Sequence, residues 1–383
     1  MKILAICFQY DDPMPLIASD ILGQLATKHT IDILGNGEPV KPIAGLRHQY
    51  IEPFSERQKG WSRRFIRWFS ATPISNNWSR KAFKLVANDY DVVISFVNNS
   101  YLMSIVAGKY ISQKLGCKFA IYTVDAIPAP GGWTRRKGDL RGKKSVVART
   151  FSAADYVAAS NQHMLEYQLS LFSHKPGLRT DVLLTPSPDK CYTYPQSEEN
   201  IFLYTGTLYG LRNPNHFIKA FKRIMERYPS AQFVIVGMRK KLGKIDQILT
   251  TEERRQVITG NHTSDLEPYF RRAKVLVDID ADREKDPFLS SKMVTYLKVN
   301  RVILSETGKI TPSREIFAGL NTVVQCDHNE DSLYEGMLRA IEIADSNPDF
   351  SERDELIKAF SIESVSAKFH QGLLDICPAE KEH

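Results

Sequence analysis

IFLYTGTLYGLRNPNHFIKAFKRIMERYPSAQFVIVG, residues 201–237, decides the fold of this chain. IFLYT is an apolar run of strand length, and a glycine-bearing loop, TGTLYGLRN, follows it. PNHFIKAFKRIMERYP then shows helical periodicity, and AQFVIVG is a second strand. Asn213 is read as the N-cap of the helix and Pro214 as its first residue, while Phe217, Ala220, Phe221, Ile224 and Met225 form one apolar stripe. The whole is a βαβ unit. The first amides of such a helix lack intrahelical partners and sit at the positive end of its dipole, which suits a phosphate, and Arg212 lies just ahead of that pole. Two readings of the loop stand at this point: a phosphate-binding turn, or a packing turn in which glycine merely lets a strand hand over to a helix.

A second turn of similar construction favours the first reading. AKVLVDI reads as a strand, ADREKDPF as a polar loop, SSKMVTYLKVN as a helix capped by Ser290 or Ser291, and RVILS as the next strand. Lys292 then falls in the first helical turn, where the dipole disfavours a cation by about 0.3–1 kcal/mol at an exposed position. An anionic ligand reverses that sign; the alternative is a solvated lysine on a surface helix. Turns of this kind at the carboxyl edge of a parallel sheet face one crevice, where doubly wound folds bind ligands.

The stretches YTGTLYGLRNPNHFIKAF, FVIVG, ITGNHTSDLEPYFRRAKVLVDI and PFLSSKMVTYLKVNRVIL together resemble the nucleotide-sugar-binding domain of the GT-B glycosyltransferases known as group 1. The resemblance implies that Gly206, Thr207 and Arg212 hold one side of a donor diphosphate and that Ser291 with Lys292 holds the other. It places the backbone of Thr259 and Gly260 beside the base. It further implies hexosyl transfer, with retention of configuration, from a nucleotide-diphosphate sugar to a saccharide or lipid-linked saccharide. Three positions depart from the family pattern. Thr207 stands where many members carry arginine. Pro287 and Thr295 stand where many carry two glutamates, leaving Thr295 only a hydroxyl to offer the donor ribose. Asn300 replaces a frequent glycine after the helix, in a place where asparagine tolerates left-handed backbone.

The N-terminal half has the same alternation. MKILAIC, TIDIL, DVVISF and CKFAIYT read as buried strands, with a helix over NSYLMSIVAGKYISQKL, so a parallel sheet covered on both faces is expected. The fold class is therefore α/β, with two Rossmann-like doubly wound parallel-sheet domains facing a cleft. The expected boundaries are residues 1–190 for an acceptor-binding domain, 198–360 for the nucleotide-sugar domain, and 361–383 for a terminal helix crossing back to the first. TPSPDKCYTYPQSEEN, residues 185–200, reads as the linker. The stretch DYDVVISF to IYTVDAIP is similar to the family's acceptor domain, with Asp125 where a histidine is frequent. That carboxylate either takes a proton from an acceptor hydroxyl, fixes the transferred sugar, or simply caps the next turn. Asp11 and Asp12 are expected to face the same cleft.

Composition fits this plan. The 383 residues, 43% of them hydrophobic, suffice for two ordinary cores. No secretory signal or bilayer-spanning run is read, and the five cysteines show no paired spacing, so reduced thiols and a cytoplasmic setting are expected. The net charge of +7 is concentrated in two places. In EPFSERQKGWSRRFIRWFSATP, helical spacing sets Trp61, Phe65, Trp68 and Phe69 apart from Arg63, Arg64 and Arg67. A second cluster holds Arg135, Arg136, Lys137, Arg141, Lys143 and Lys144. These segments read either as an anionic membrane surface contact, consistent with a peripheral enzyme of cell-surface polysaccharide or glycolipid assembly, or as an ordinary surface helix. Asp278, Asp280 and Asp282 alternate in VDIDAD as in a metal site of another glycosyltransferase fold, but a strand end is the preferred reading, and no metal or other cofactor is expected. No nucleic-acid module is recognisable. The rivals are a nicotinamide-dinucleotide-dependent oxidoreductase, against which no GxGxxG with an acidic ribose ligand is found, and a non-catalytic GT-B-like sugar-binding or scaffold protein.

Overall fold

The computed structural model describes residues 1–7, 13–36, 43, 45–51, 72–87, 89–98, 102–133, 137–187, 189–237 and 248–378. Asp11, Asp12 and the aromatic and basic residues of 61–69 lie outside them, as do Arg135 and Arg136. The chain divides into two compact units, Met1–Pro188 with Phe360–His383, and Asp189–Ala359.

The first unit holds a seven-stranded parallel sheet of order β3-β2-β1-β4-β5-β6-β7. Its strands are β1 Lys2–Cys7, β2 Thr30–Asn36, β3 Arg47–Ile51, β4 Val92–Val97, β5 Lys118–Thr123, β6 Tyr156–Ala159 and β7 Arg179–Val182. The central strands are apolar and fully buried, as parallel strands covered on both faces must be. The Ile362–Ile376 helix belongs to this unit and is capped by the Ser361 hydroxyl, which accepts the Ser364 amide at 3.1 Å. It is seated by Phe369, whose ring packs against those of Phe96, Tyr122 and Tyr156 at 5.6–6.4 Å between centroids. Gly372 lets the helix lie close, because a Cβ there would stand 2.5 Å from the Tyr156 ring.

The second unit holds a six-stranded parallel sheet of order β10-β9-β8-β11-β12-β13. These strands are β8 Ile201–Thr205, β9 Gln232–Val236, β10 Val257–Gly260, β11 Val275–Ile279, β12 Val302–Glu306 and β13 Val323–Cys326. The order turns at β8 and β11, so the loops leaving their carboxyl ends open side by side. The helix Asn215–Arg227 covers one face through the expected stripe, with Phe217 and Phe233 rings 4.4 Å apart. It starts one residue later than the sequence suggests: Pro214 occupies the cap position, and the Asn213 side chain accepts the Asn215 amide at 3.3 Å.

The segment read as linker, 185–200, contains the boundary between the two units, and within it Tyr192 accepts the Asn300 amide at 3.1 Å and donates its own to Lys298 at 2.7 Å. One other expectation is corrected. Asn300 is not left-handed; the one non-glycine residue with positive φ among those described is Asn347. The Asn300 side chain instead grips the backbone of Tyr194 from both sides, accepting its amide at 2.9 Å and donating to its carbonyl at 2.8 Å. Asparagine here is a splice between strand and segment.

Arg353 binds the same region from below. Its fully buried guanidinium donates to the carbonyls of Val299, Arg301 and Thr322 and to the Thr322 hydroxyl, at 2.8–3.0 Å. Removing it orphans several buried acceptors at once. Arg353→Met should therefore cost about 3–5 kcal/mol of stability, read as a lowered urea midpoint at constant m; a loss under about 1 kcal/mol would refute this account.

Candidate nucleotide-diphosphate site

The carboxyl ends of β8, β9 and β10 meet through glycine. Gly206 (φ +113°) and Gly237 (φ +101°) both adopt backbone that other residues avoid. They lie back to back: a Cβ on Gly237 would meet the backbone of Gly206 at 3.2–3.3 Å. The Gly206 amide donates to Val236 and the Gly237 amide to Gly260, at 2.6 and 3.0 Å, so the three strand ends are stitched in sequence. Thr207 closes the turn by donating its hydroxyl to the Gly237 carbonyl at 2.9 Å. That threonine, expected beside the diphosphate, thus fixes the loop.

Lys292 enters from the opposite side. It is second in the short helix Ser291–Tyr296 and keeps only 12% of its side chain exposed. A Cβ on Gly206 would stand 3.7 Å from its Cδ, an ordinary contact, so the lysine stem runs beside the glycine turn. The ammonium sits 5.1 Å from the centre of the Tyr204 ring and 3.4 Å from Oδ1 of Asp278. Six residues make a weak dipole, and what governs this lysine is Asp278. Burial pulls the ammonium below its ordinary pKa and nearby Arg212 adds to that, while Asp278 opposes both.

Asp278 is the fourth residue of β11, wholly buried in an otherwise apolar strand. Its Oδ1 also accepts the Ser290 hydroxyl at 2.8 Å. Ser290 is the cap residue of the Lys292 helix, yet its side chain is spent on this carboxylate and not on the helix amides. Asp280 follows, also buried, with Oδ1 accepting the adjacent Ala281 amide at 2.9 Å and Oδ2 without a partner. Burial first, and then the neighbouring Asp278, raise its pKa to about 7.

Arg212 completes the group. Its backbone pairs with Ala281 in an isolated antiparallel bridge, which ties the β8 loop to the β11 loop. Its guanidinium stands 5.1 Å from the centre of the exposed Tyr209 ring, and its Nε has no partner. Burial works against the charge, but Asp278 above all holds it over the ordinary value. Tyr296, on the Lys292 helix, accepts the Thr205 amide at 2.9 Å and pairs with the Thr205 hydroxyl at 3.0 Å, fixing the last residue before Gly206.

The expected residues thus divide. Gly206, Arg212 and Lys292 converge around Asp278. Ser291 is exposed at the helix start, and at the end of β10 Thr259 is exposed and Gly260 half-buried. Thr295 turns its hydroxyl back to the Ser291 carbonyl of its own helix, at 3.4 Å. Asp125 follows β5 in the first unit, half-buried, its carbonyl accepting the Thr123 hydroxyl at 2.6 Å. Sequence reading missed Tyr204 and Tyr296, placed Ser290 as a cap candidate without its bond to Asp278, and did not give Asp278 this role; a lone aspartate inside VLVDI was the available signal. Among the described residues, no group of three histidine, cysteine, aspartate or glutamate side chains is placed to hold a metal ion.

Residues 194–278 match the family of glycosyl transferases group 1. No curated protein sequence matches the chain. Its fold is shared over nearly the full length of several solved structures. Anabaena HepE in complex with UDP is 12% identical, with a TM-score of 0.67 over 97% of this chain and 99% of that one. TarM is 10% identical, with a TM-score of 0.71 over 97% and 98%. The UDP-GlcNAc 2-epimerase of Neisseria meningitidis, bound to UDP-GlcNAc, is 12% identical, with a TM-score of 0.59 over 98% and 100%. The fold is that of the GT-B glycosyltransferases.

The matched segment runs from the packed Tyr194 through the glycine turn and Arg212 to Asp278, so it carries half of the site just described. Within this GT-B unit the contact between the two glycines sets the loop. Gly237→Ala should cost about 1–3 kcal/mol, from forced backbone and from the clash with Gly206. Thermal unfolding measures it, and a variant as stable as the parent would refute the contact.

Proposed function

We propose that the second unit binds the diphosphate of a nucleotide sugar and that the protein transfers the sugar to a saccharide or lipid-linked saccharide acceptor. The observation that carries this reading is the convergence of Arg212 and Lys292 on one point between two glycine-lined strand ends. Both cations are sequestered, so an anion that meets them does so with little competing solvent, where charge interactions are strong. Their part in the reaction is to take up the negative charge that develops on the diphosphate as its bond to the sugar lengthens. The protein provides little else chemically, and needs little, because the diphosphate is already a good leaving group.

Thr259 and Gly260, with β10, are proposed to flank the base through backbone groups, and Ser291 to add a hydroxyl to the phosphate. Asp125 is proposed to accept the proton of the acceptor hydroxyl. The resemblance to the group 1 family supports hexosyl transfer with retention. The basic clusters, including the half-buried or exposed Arg141, Lys143 and Lys144, support an acceptor at an anionic membrane surface. No helix among the described residues is long and apolar enough to cross a membrane.

The likeness to an epimerase bound to UDP-GlcNAc favours a second reading, in which the same diphosphate cradle serves isomerisation of a nucleotide sugar. Incubation of the protein with nucleotide sugars, with and without saccharide acceptors, separates the two. Free nucleoside diphosphate released only with acceptor supports transfer, and an altered sugar still on its nucleotide supports epimerisation.

Three outcomes are expected. One nucleoside diphosphate sugar raises stability by about 2.7 kcal/mol at a hundredfold excess over its Kd. Lys292→Ala and Arg212→Ala each lower the transfer rate by about 10²–10³ in a protein that still folds; a rate within threefold of the parent would remove that residue from the reaction. Vesicles of anionic lipid retain the protein at low salt and release it at high salt, whereas equal retention by neutral vesicles would remove the electrostatic basis for membrane contact.

A further inference from the structure

The cradle contains more negative charge than a diphosphate site should tolerate. Beside Arg212 and Lys292 lie two fully buried carboxyls, Asp278 and Asp280, so the four formal charges sum to zero before any ligand arrives. A diphosphate then brings further negative charge into a space from which water is largely excluded. Either the anion is repelled, or one carboxyl gives up its charge.

The partners of the two carboxyls decide which one yields. Oδ1 of Asp278 accepts the Ser290 hydroxyl at 2.8 Å and lies 3.4 Å from the Lys292 ammonium. Each carboxyl has a buried Oδ2 without a partner, but on Oδ1 Asp280 accepts only the Ala281 amide, where Asp278 has both a hydroxyl and an ammonium. Resting on the nucleotide-sugar reading above, we propose that Asp280 takes up one proton from solvent on Oδ2 as the diphosphate docks, so that nucleotide binding is a coupled binding of anion and proton.

The groups around Asp280 agree. From β11 and the loop that follows it, Asp278 and Asp286 repel its charge, and from the β8 loop Arg212 alone opposes them strongly. From the other side come Lys292 and His328, on both of which Asp280 acts electrostatically. His328 is already committed to Glu306 through Nδ1 at 3.1 Å and cannot supply the missing hydrogen bond from that nitrogen. When the anion draws Arg212 and Lys292, the repulsion on Asp280 remains and its chief counter-charge is shared. A resting pKa near 7 leaves the carboxyl divided between its two forms at neutral pH, so a modest further rise loads the proton almost completely.

The sign of the effect follows. The ligand raises the pKa of Asp280, so the protonated site binds more tightly, and the Kd for nucleoside diphosphate rises with pH above 7. The limit is tenfold per pH unit, until the pKa of the complex is reached.

Titration calorimetry of the full chain with UDP at pH 8, in two buffers of different ionisation enthalpy, counts the protons directly. The second ionisation of a phosphate monoester lies near about 6, so the ligand itself then contributes little. Uptake of about half to one proton per UDP, reduced to near zero in Asp280→Asn with binding retained, is the expected result. Binding without uptake in the parent, or uptake undiminished in Asp280→Asn, overturns the proposal and leaves the nucleotide-sugar reading standing. If UDP does not bind, GDP, ADP, CDP and dTDP are tried in turn; failure of all five overturns that reading and this proposal with it. Should Asp280→Asn not fold, the parent decides alone: a Kd that rises severalfold from pH 7 to 8 together with measured uptake supports the proposal, and a flat Kd overturns it.

Discussion

The ion pair of Lys292 with Asp278 is the constraint around which the second unit is arranged. A carboxylate of zero exposure at the end of an apolar strand is costly to keep charged, and the penalty is met only if the partners are well placed. Each neighbouring element has one. Ser290 brings the cap of the lysine helix onto Asp278, Tyr204 offers its ring face to the ammonium, and the lysine stem runs beside the Gly206 turn. Breaking such a pair by removing one member leaves an uncompensated buried charge, a larger loss than the pair itself contributes. The same pair holds a cation, within reach of a ligand, in a place that would otherwise favour the neutral amine.

Rigidity behind the pair comes from a second set of contacts. The Lys292 helix has only six residues, too few to be stable by itself. Tyr296 ties its far end to Thr205, while Asn300 and Arg353 hold the turn that follows. The buried guanidinium of Arg353 acts as a hub for three carbonyls on two separate segments. A site whose helix is anchored at both ends in this way can present its cation without reorganising when the ligand arrives, which is where electrostatic stabilisation gains most.

The larger elements were legible because their periodicity is strong. The buried central strands and the Phe217–Met225 stripe leave little room for another fold, and the glycine turn with Arg212 was the sequence's pointer to a candidate anion site. The misses have physical causes. β3, β6, β7 and β13 have four or five residues and several have polar faces, so they lack the uniform apolar signal of a central strand. Asn300 looked like a backbone device because its left-handed tolerance is a property of the residue, whereas its actual use depends on Tyr194, more than a hundred positions away. Asp278 was visible as an oddity within VLVDI, but its meaning lies in Ser290 and Lys292, which only the folded sheet brings to it.

The departures from the family pattern now gain a physical reading. Thr295 cannot replace a glutamate toward a ribose while its hydroxyl is turned to Ser291, and Thr207 secures the Gly237 carbonyl in place of adding a positive charge. Against the pattern of the group 1 family this chain thus lacks one cation and two carboxylates, yet it carries two buried carboxyls, Asp278 and Asp280, beside Arg212 and Lys292. The charge of the site has been moved inward. On the proposed function, an anion would meet two sequestered cations whose positions are dictated from below by acids, and its affinity would depend on how many of those acids are ionised as much as on the cations themselves.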